Sequence, residues 1–342
     1  MAISRRRTTL DDVARLAGVS PITVSRALRN PGVVSDKLRQ RIDLAVRKLA
    51  YVPNISASRL ASPRSHAVGV IVPTLYNVIF AEYLQALHEA FLGSGFQVVV
   101  VNNRYSTGEE ENAVRTLLGQ HAEAIIMVGV DHSPMTRRIL ERSRVPVIET
   151  FELAAEPLGI NIGLSQQRAG RDATRFLLSL GHRRVGFMVG HLDVRAAARL
   201  AGYREAMAEA GLADACFVAS VPKASSVALG SQILADLCSR GALPEAFFCI
   251  DDNLGLGAIL ECRRRGIRVP EDLSILGFHD LEFAACASPS LSSVATRRYE
   301  MGRRAAEEAI AAIAAGGRIR PRTIDMGYEI VVRESTRPLR PA

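Results

Sequence analysis

Residues 8–32 read TTLDDVARLAGVSPITVSRALRNPG, and the local chemistry of this stretch dictates two short helices with a tight turn between them. Thr9 is placed to cap the first, with Asp12 three residues on as the reciprocal acid of a capping box. Leu10, Val13, Ala14 and Ala17 recur at helical spacing and form one apolar face. Gly18 follows where a left-handed residue ends a helix, and Ser20 with Pro21 begins the next. Val24 and Leu28 turn inward on that second helix, leaving Ile22, Ser25, Arg26 and Arg29 outward. Asn30, Pro31 and Gly32 break it, and Ser35 opens a third helix with Leu38, Ile42, Ala45 and Leu49 on one face. Small residues at the contact positions let the first two helices cross closely. The spacing predicts a helix-turn-helix whose second helix presents its outer face to a DNA major groove.

The charge distribution agrees. Residues 1–64 hold thirteen Lys and Arg against four Asp and Glu, a net of +9, whereas the rest of the 342 residues hold 30 against 31. A segment this biased points to a polyanion, most simply nucleic acid. A three-helix protein-binding bundle is the competing reading. Arg26 is the leading base reader, because arginine pairs bidentately with guanine O6 and N7. Ser20, Thr23 and Ser25 suit phosphate contacts or capping.

Behind the head lies YVPNISASRLASPRS, residues 51–65. It has a possible cap at Asn54, one large apolar residue at Leu60, and a stop at Pro63. A helix this short is not stable alone in water. A flexible linker with Leu60 packed on the core is the competing reading.

TLDDVARLAGVSPITVSRAL and VSDKLRQRIDLAVRKLAYVPNISASRLAS together resemble the head and hinge of the lactose/galactose repressor (LacI/GalR) family. The resemblance implies a homodimer on near-palindromic double-stranded operator DNA, with Thr9, Ser20, Pro21, Ile22, Thr23, Ser25, Arg26 and Arg29 as head contacts. It implies that the hinge forms on DNA, with Asn54, Ser58 and Arg59 beside Leu60, which wedges open a minor-groove step. The expected divisions are a head at 1–52, a hinge at 53–65 and an effector-binding and dimerisation body at 66–342.

In the body, apolar runs alternate with helical segments: AVGVIVP, FQVVVVNN, AEAIIMVG and VPVIETF, then RRVGFMVG, ACFVAS, AFFCI and LSILGF. Alternation of this kind predicts parallel sheets covered by helices. The length suits two α/β lobes with a ligand cleft at the strand ends. The resemblance implies a periplasmic-binding-protein architecture with three crossings, expected near Gly163, Ser293 and Asp325. Lobe 1 is then about 66–163 and 294–324, and lobe 2 about 164–293 and 325–342.

Enzymatic motifs are missing from the sequence. GLGAIL at 255–260 lacks a third glycine and follows an acidic turn, and there is neither a G-x-x-x-x-G-K-[ST] nor an H-E-x-x-H motif. Five scattered cysteines without C-x-x-C spacing suit reduced thiols rather than a disulfide frame or zinc site. No catalytic residue, metal or cofactor is expected. Hydrophobic content of 48% contains no run long enough to span a bilayer, and MAISRRRTTL carries no apolar segment of a signal peptide, so a cytoplasmic protein without a membrane partner is expected. RPLRPA at the end offers no leucine heptad helix, which favours a dimer over a tail-mediated tetramer.

For the effector, the resemblance singles out Arg199 in VRAAARLAGY, expected at a helix start, with Asp251 in CIDD as a hydroxyl acceptor and Asp252 as a brace. In GFHD at 277–280, His279 stands where sugar-responsive members often carry aspartate, which removes a negative charge and favours an acidic ligand. Tyr76, Phe80 and Glu149 complete the candidate set. VIETFELAAEPLGINIGLSQQRAG and GFHDLEFA look most similar to repressors of gluconate and related sugar-acid genes. A neutral-sugar-responsive regulator, or a sugar-binding α/β protein without operator function, is the alternative.

Leu60→Ala should leave dimerisation and effector affinity unchanged while weakening operator binding and reducing the DNA bend. A circular-permutation gel assay reads the bend, and an unchanged bend would remove the wedge role from Leu60.

Overall fold

The computed structural model describes residues 8–29, 31–52 and 65–339, and the chain divides into two compact units, Met1–Ser65 and His66–Ala342. In the first unit, α1 (Leu10–Ala17), α2 (Pro21–Arg29) and α3 (Asp36–Lys48) enclose Val13, Ala14, Ala17, Val24, Ala27, Ile42, Ala45 and Tyr51. The capping box forms: the Thr9 hydroxyl donates to Asp12 Oδ2 at 2.7 Å and accepts from the Asp12 amide at 3.3 Å. Gly18 ends α1 with a φ of 64°, a left-handed conformation that glycine adopts without steric cost. The Arg41 guanidinium donates to the Ala17 carbonyl at 2.6 Å, tying α3 to the unsatisfied end of α1.

The second unit is built from two six-stranded sheets. The first contains β1 (Ala67–Val72), β2 (Gln97–Asn102), β3 (Ala124–Val128), β4 (Val147–Thr150), β5 (Ile160–Gly163) and β11 (Arg322–Asp325). Its order is β11-β5-β4-β3-β1-β2, with every pairing parallel. The second contains β6 (Val185–Val189), β7 (Phe217–Ser220), β8 (Ala246–Cys249), β9 (Ser274–His279), β10 (Ser292–Thr296) and β12 (Tyr328–Val331). Its order is β12-β10-β9-β8-β6-β7, parallel except where β12 runs antiparallel to β10. Strands β1, β3, β6 and β8 are apolar throughout because helices cover both faces there, as parallel sheets require, whereas the edge strand β11 is polar and largely exposed.

Helices α4 (Ile79–Phe91), α5 (Thr107–Gly119) and α6 (Pro134–Ser143) follow β1, β2 and β3; α7 (Gln166–Ser179), α8 (Val194–Glu209), α9 (Val227–Ser239) and α10 (Asp252–Arg265) follow β5, β6, β7 and β8. The short α11 (Glu282–Cys286) follows β9, and α12 (Arg298–Ala314) follows β10. α12 packs on α4 and on β3, β4 and β5, which places it with the first sheet. Because β10 is hydrogen-bonded between β9 and β12, the second sheet extends through Thr296. The crossing expected near Ser293 therefore falls at Arg297, and residues 294–296 belong to the second lobe, not the first. The other two passages between sheets run from Gly163 to Gln166 and from Asp325 to Tyr328.

Helices α7 and α8 pack more extensively than any other pair of elements. Their backbones touch where both lack a side chain: a Cβ at Gly202 would collide with the Gln167 carbonyl, and one at Gly170 with the Arg199 carbonyl. This close crossing fixes where the first turns of α8 lie.

Candidate functional site

Two surfaces correspond to the two units. On the head, α2 leaves Pro21, Ile22 and Arg26 exposed and Thr23 and Ser25 half-buried, with Val24 and Ala27 in the core. The Ser20 Oγ accepts from the Thr23 amide at 3.2 Å and lies 2.9 Å from the Thr23 hydroxyl, so both side chains are engaged in starting α2. Thr9 likewise has its hydroxyl committed to the α1 cap. Arg29 is the last residue of α2. Asn54, Ser58, Arg59 and Leu60 lie outside the described residues.

In the body, a cleft of about 390 Å³ opens between the carboxyl ends of the two sheets. It takes Tyr76, Phe80 and Phe151 from the first lobe and Arg195, Arg199, Asp251 and His279 from the second. Tyr76 is 80% exposed at the rim, whereas Phe80 is buried against Phe151 with ring centroids 5.2 Å apart.

Arg199 is 5% exposed. It stands in the second turn of α8 and not at its start, because Asp193 caps the helix and Val194 is its first residue. One guanidinium nitrogen donates to the Ile250 carbonyl at 2.6 Å, and the group lies 4.1 Å from the centre of the Phe278 ring. Its Nε is buried and has no hydrogen-bond partner among the described residues. Burial pulls Arg199 down to about 10, against the attraction of Asp193 and with the repulsion of Arg195. It remains a cation at neutral pH.

Arg195, which sequence reasoning missed, occupies the second position of α8 and bonds Asp193 at 2.7 Å. Burial opposes its charge, but Asp193, Tyr105 and Glu152 together more than compensate and hold it protonated. The signal was present in VRAAARL, where two arginines stand four residues apart and so share one helix face. Arg104 and Lys223 also line the cleft.

Asp251 caps α10, accepting from the Leu254 amide at 3.1 Å; burial raises its carboxyl, while Arg199 lowers it. Asp252 is a brace: its oxygens accept from the Ser293 hydroxyl at 2.6 Å and the Leu281 amide at 2.7 Å. His279 sits at the cleft floor with its Nδ1 3.0 Å from the Thr296 hydroxyl and a φ of 100°. Burial and the Arg199 and Arg298 charges push it well below its ordinary pKa. It is neutral, so it offers hydrogen bonding but no charge to an anion. Arg298 donates to the His279 carbonyl and, at 2.7 Å, to Glu82 on α4, joining the cleft floor to the first lobe.

A model of the lacI family of bacterial regulatory proteins matches residues 9–54, and one of a periplasmic binding protein-like domain matches residues 174–336. The HTH-type transcriptional regulator GntR of Pseudomonas aeruginosa is 42% identical over 332 residues, covering 96% of each chain. The chain belongs to the lacI family of bacterial regulatory proteins. The crystal structure of a LacI-family transcriptional regulator from Silicibacter pomeroyi superposes with a TM-score of 0.89 at 30% identity, covering 96% of this chain and 99% of that one. The lac repressor dimer bound to operator and the anti-inducer ONPF superposes with a TM-score of 0.80 at 25% identity, covering 97% and 100%. This lacI-family chain is a DNA-binding transcriptional regulator and not an enzyme. Among its described residues no helix is long and apolar enough to cross a membrane, and no group of three or more His, Cys, Asp or Glu side chains is arranged to hold a metal ion.

One candidate falls outside the regulator's cleft. Glu149 is fully buried, and its Oε2 accepts from the Leu158 amide at 2.8 Å. Strand alternation sets it on the side of Val147, which packs with Ile125 and Met127, opposite the side of Ile148. There it lies 3.4 Å from His132 Nε2, while His132 Nδ1 is 2.8 Å from Glu110. Glu149 thus belongs to a buried carboxylate–imidazole–carboxylate group and does not line the cleft.

Burial alone would lower the His132 pKa, but Glu110 and Glu149 raise it to about 9. A raised histidine stabilises the fold fully below its ordinary value of 6.5 and ceases to do so as pH rises through about 9. Unfolding free energy should therefore fall by on the order of 2 kcal/mol from pH 6.5 to 9 in the wild type. His132→Gln should flatten that slope in urea denaturation, and equal slopes in the two proteins would show that His132 does not titrate there.

Proposed function

We propose that this regulator is a homodimeric repressor of carbohydrate or sugar-acid catabolic genes, released from its operator by a small sugar acid such as gluconate. The observation that carries the effector class is the convergence of Arg195 and Arg199 on one cleft floored by a neutral His279. A carboxylate enters a closed cleft favourably only where it is paired and hydrogen-bonded, and a fixed guanidinium with an unused Nε meets that need. The name of the Pseudomonas aeruginosa relative, GntR, supports the same class. The lac repressor structure, a dimer on operator, supports the partner and the assembly.

In this reading residues 1–52 form the DNA-binding head, 53–65 the hinge and 66–342 the effector-binding and dimerisation body. Tyr76 and Phe80 enclose the effector from the first lobe, and Asp251 accepts from a hydroxyl. Closure moves α4, which Arg298 ties to the cleft floor through Glu82. Operator affinity then shifts by no more than the effector's differential affinity for the two states.

On the head, Arg26 reads a base, with Ile22 in apolar contact beside it and Ser20, Thr23 and Ser25 at phosphates. Arg26→Ala should cost roughly 1–3 kcal/mol at one base pair of each half-site and relax selectivity more than bulk affinity. Gel shifts with operator and random DNA check this; an equal loss on both would make Arg26 a phosphate contact.

Titration calorimetry tests the effector class. Gluconate and 2-ketogluconate should bind while glucose fails, and Arg199→Leu should abolish acid binding yet retain operator binding. Glucose or ribose binding as tightly as either acid, or a normal acid response in Arg199→Leu, would refute the anion reading.

A further inference from the structure

The body contains a second group placed like the Arg199 Nε, and it has the opposite polarity. Gln166 is the first residue of α7, immediately after the passage from β5, and its side chain is 2% exposed where it lines the cleft. Its Nε2 donates to the Phe151 carbonyl at 2.7 Å, across from the second lobe to the first. Its Oε1 is buried and accepts no hydrogen bond from any described residue.

The orientation of this amide follows from its partner. Reversing it would set Oε1 against the Phe151 oxygen with no proton between them, so the carbonyl end is the end left over. A buried amide oxygen can be satisfied only by a donor. An ionised carboxylate has none, and neither does a keto oxygen. A hydroxyl has one.

We propose that Gln166 reads a hydroxyl of the bound effector, so that the cleft selects hydroxylated ligands over their deoxy counterparts. The inference rests in part on the anionic effector proposed above, for a hydroxy acid presents both what the Arg199 Nε lacks and what the Gln166 Oε1 lacks. The selectivity itself needs only a hydroxylated ligand. A cleft that buries an acceptor discriminates against a ligand without the matching donor, because the acceptor stays unsatisfied in the complex. Phe151 strengthens this by holding the amide: the Gln166 side chain cannot turn to offer its nitrogen without breaking the bond between the lobes.

The test is calorimetry on the full chain with gluconate, each of its single-deoxy derivatives, glucose and the single-deoxy glucoses, for wild type, Gln166→Leu and Gln166→Met. The two variants remove the amide while keeping an unbranched or branched apolar side chain of similar volume, and thermal melting reports whether each is folded. The quantity read is the ratio of deoxy to parent Kd within each protein, which a general weakening of the cleft does not change. In wild type, removal of one particular hydroxyl from gluconate should weaken binding roughly 10- to 100-fold. In a folded Gln166 variant that ratio should fall below about twofold, with the ratios for the other hydroxyls unchanged.

If gluconate binds and every ratio is the same in wild type and variants, the role of Gln166 is overturned while the anion reading stands. If gluconate fails but glucose binds with one ratio that collapses in the variants, Gln166 reads a hydroxyl and the anion reading is lost. Binding of none of these probes to the wild type overturns both.

Discussion

A guanidinium kept out of water governs the design of the cleft. Arg199 is held by one carbonyl bond, by the face of Phe278 and by the Asp193 charge nearby, and these suffice to keep it protonated. They do not satisfy all of it. Its position depends in turn on the glycines where α7 and α8 touch, since a side chain at Gly170 or Gly202 would force α8 outward and carry Arg199 with it. Electrostatics in the site thus rests on the absence of two side chains where α7 meets α8, one of them directly against the Arg199 backbone. His279 is neutral for a related reason: its burial first, and then the cations around it, suppress a further positive charge.

Much of this was legible in the sequence, and for identifiable reasons. The head is a set of local rules. Thr9 with Asp12, Gly18, and Ser20 with Pro21 act within one helical turn, so tertiary context had little to override. The long apolar strands were equally plain. Strands β5 and β10 were not, because Asn161, Ser292 and Ser293 interrupt the apolar pattern. Ser292 and Ser293 are buried because they bond to the Thr336 hydroxyl and to Asp252. That is why the sequence points to a passage near Ser293, four residues ahead of the one at Arg297.

The site was harder to read than the fold. All four residues of β4 are buried, so alternation leaves no trace of which face Glu149 takes. Its partners His132 and Glu110 come from separate segments, and no spacing announces them. The start of α8 was misjudged by several residues because the cap is Asp193, ahead of the run of alanines. Moving the cap moves the helix-end position from Arg199 to Arg195, and with it the division of labour between the two arginines. In SQQRAG, neither glutamine is marked as the inward one until Ser165 is fixed as the cap.

The interleaving of the two sheets has a consequence for how this body can be taken apart, in the test tube and over evolutionary time. Each sheet draws strands from early and late in the sequence, with β11 and β12 separated by only two residues yet belonging to different sheets. No single peptide-bond cleavage releases a lobe, and neither lobe is encoded by one uninterrupted stretch that recombination could exchange for another. The head is a contiguous run of residues and can be traded whole. New pairings of head and body are therefore open to shuffling, whereas neither lobe of the body can be exchanged without the other.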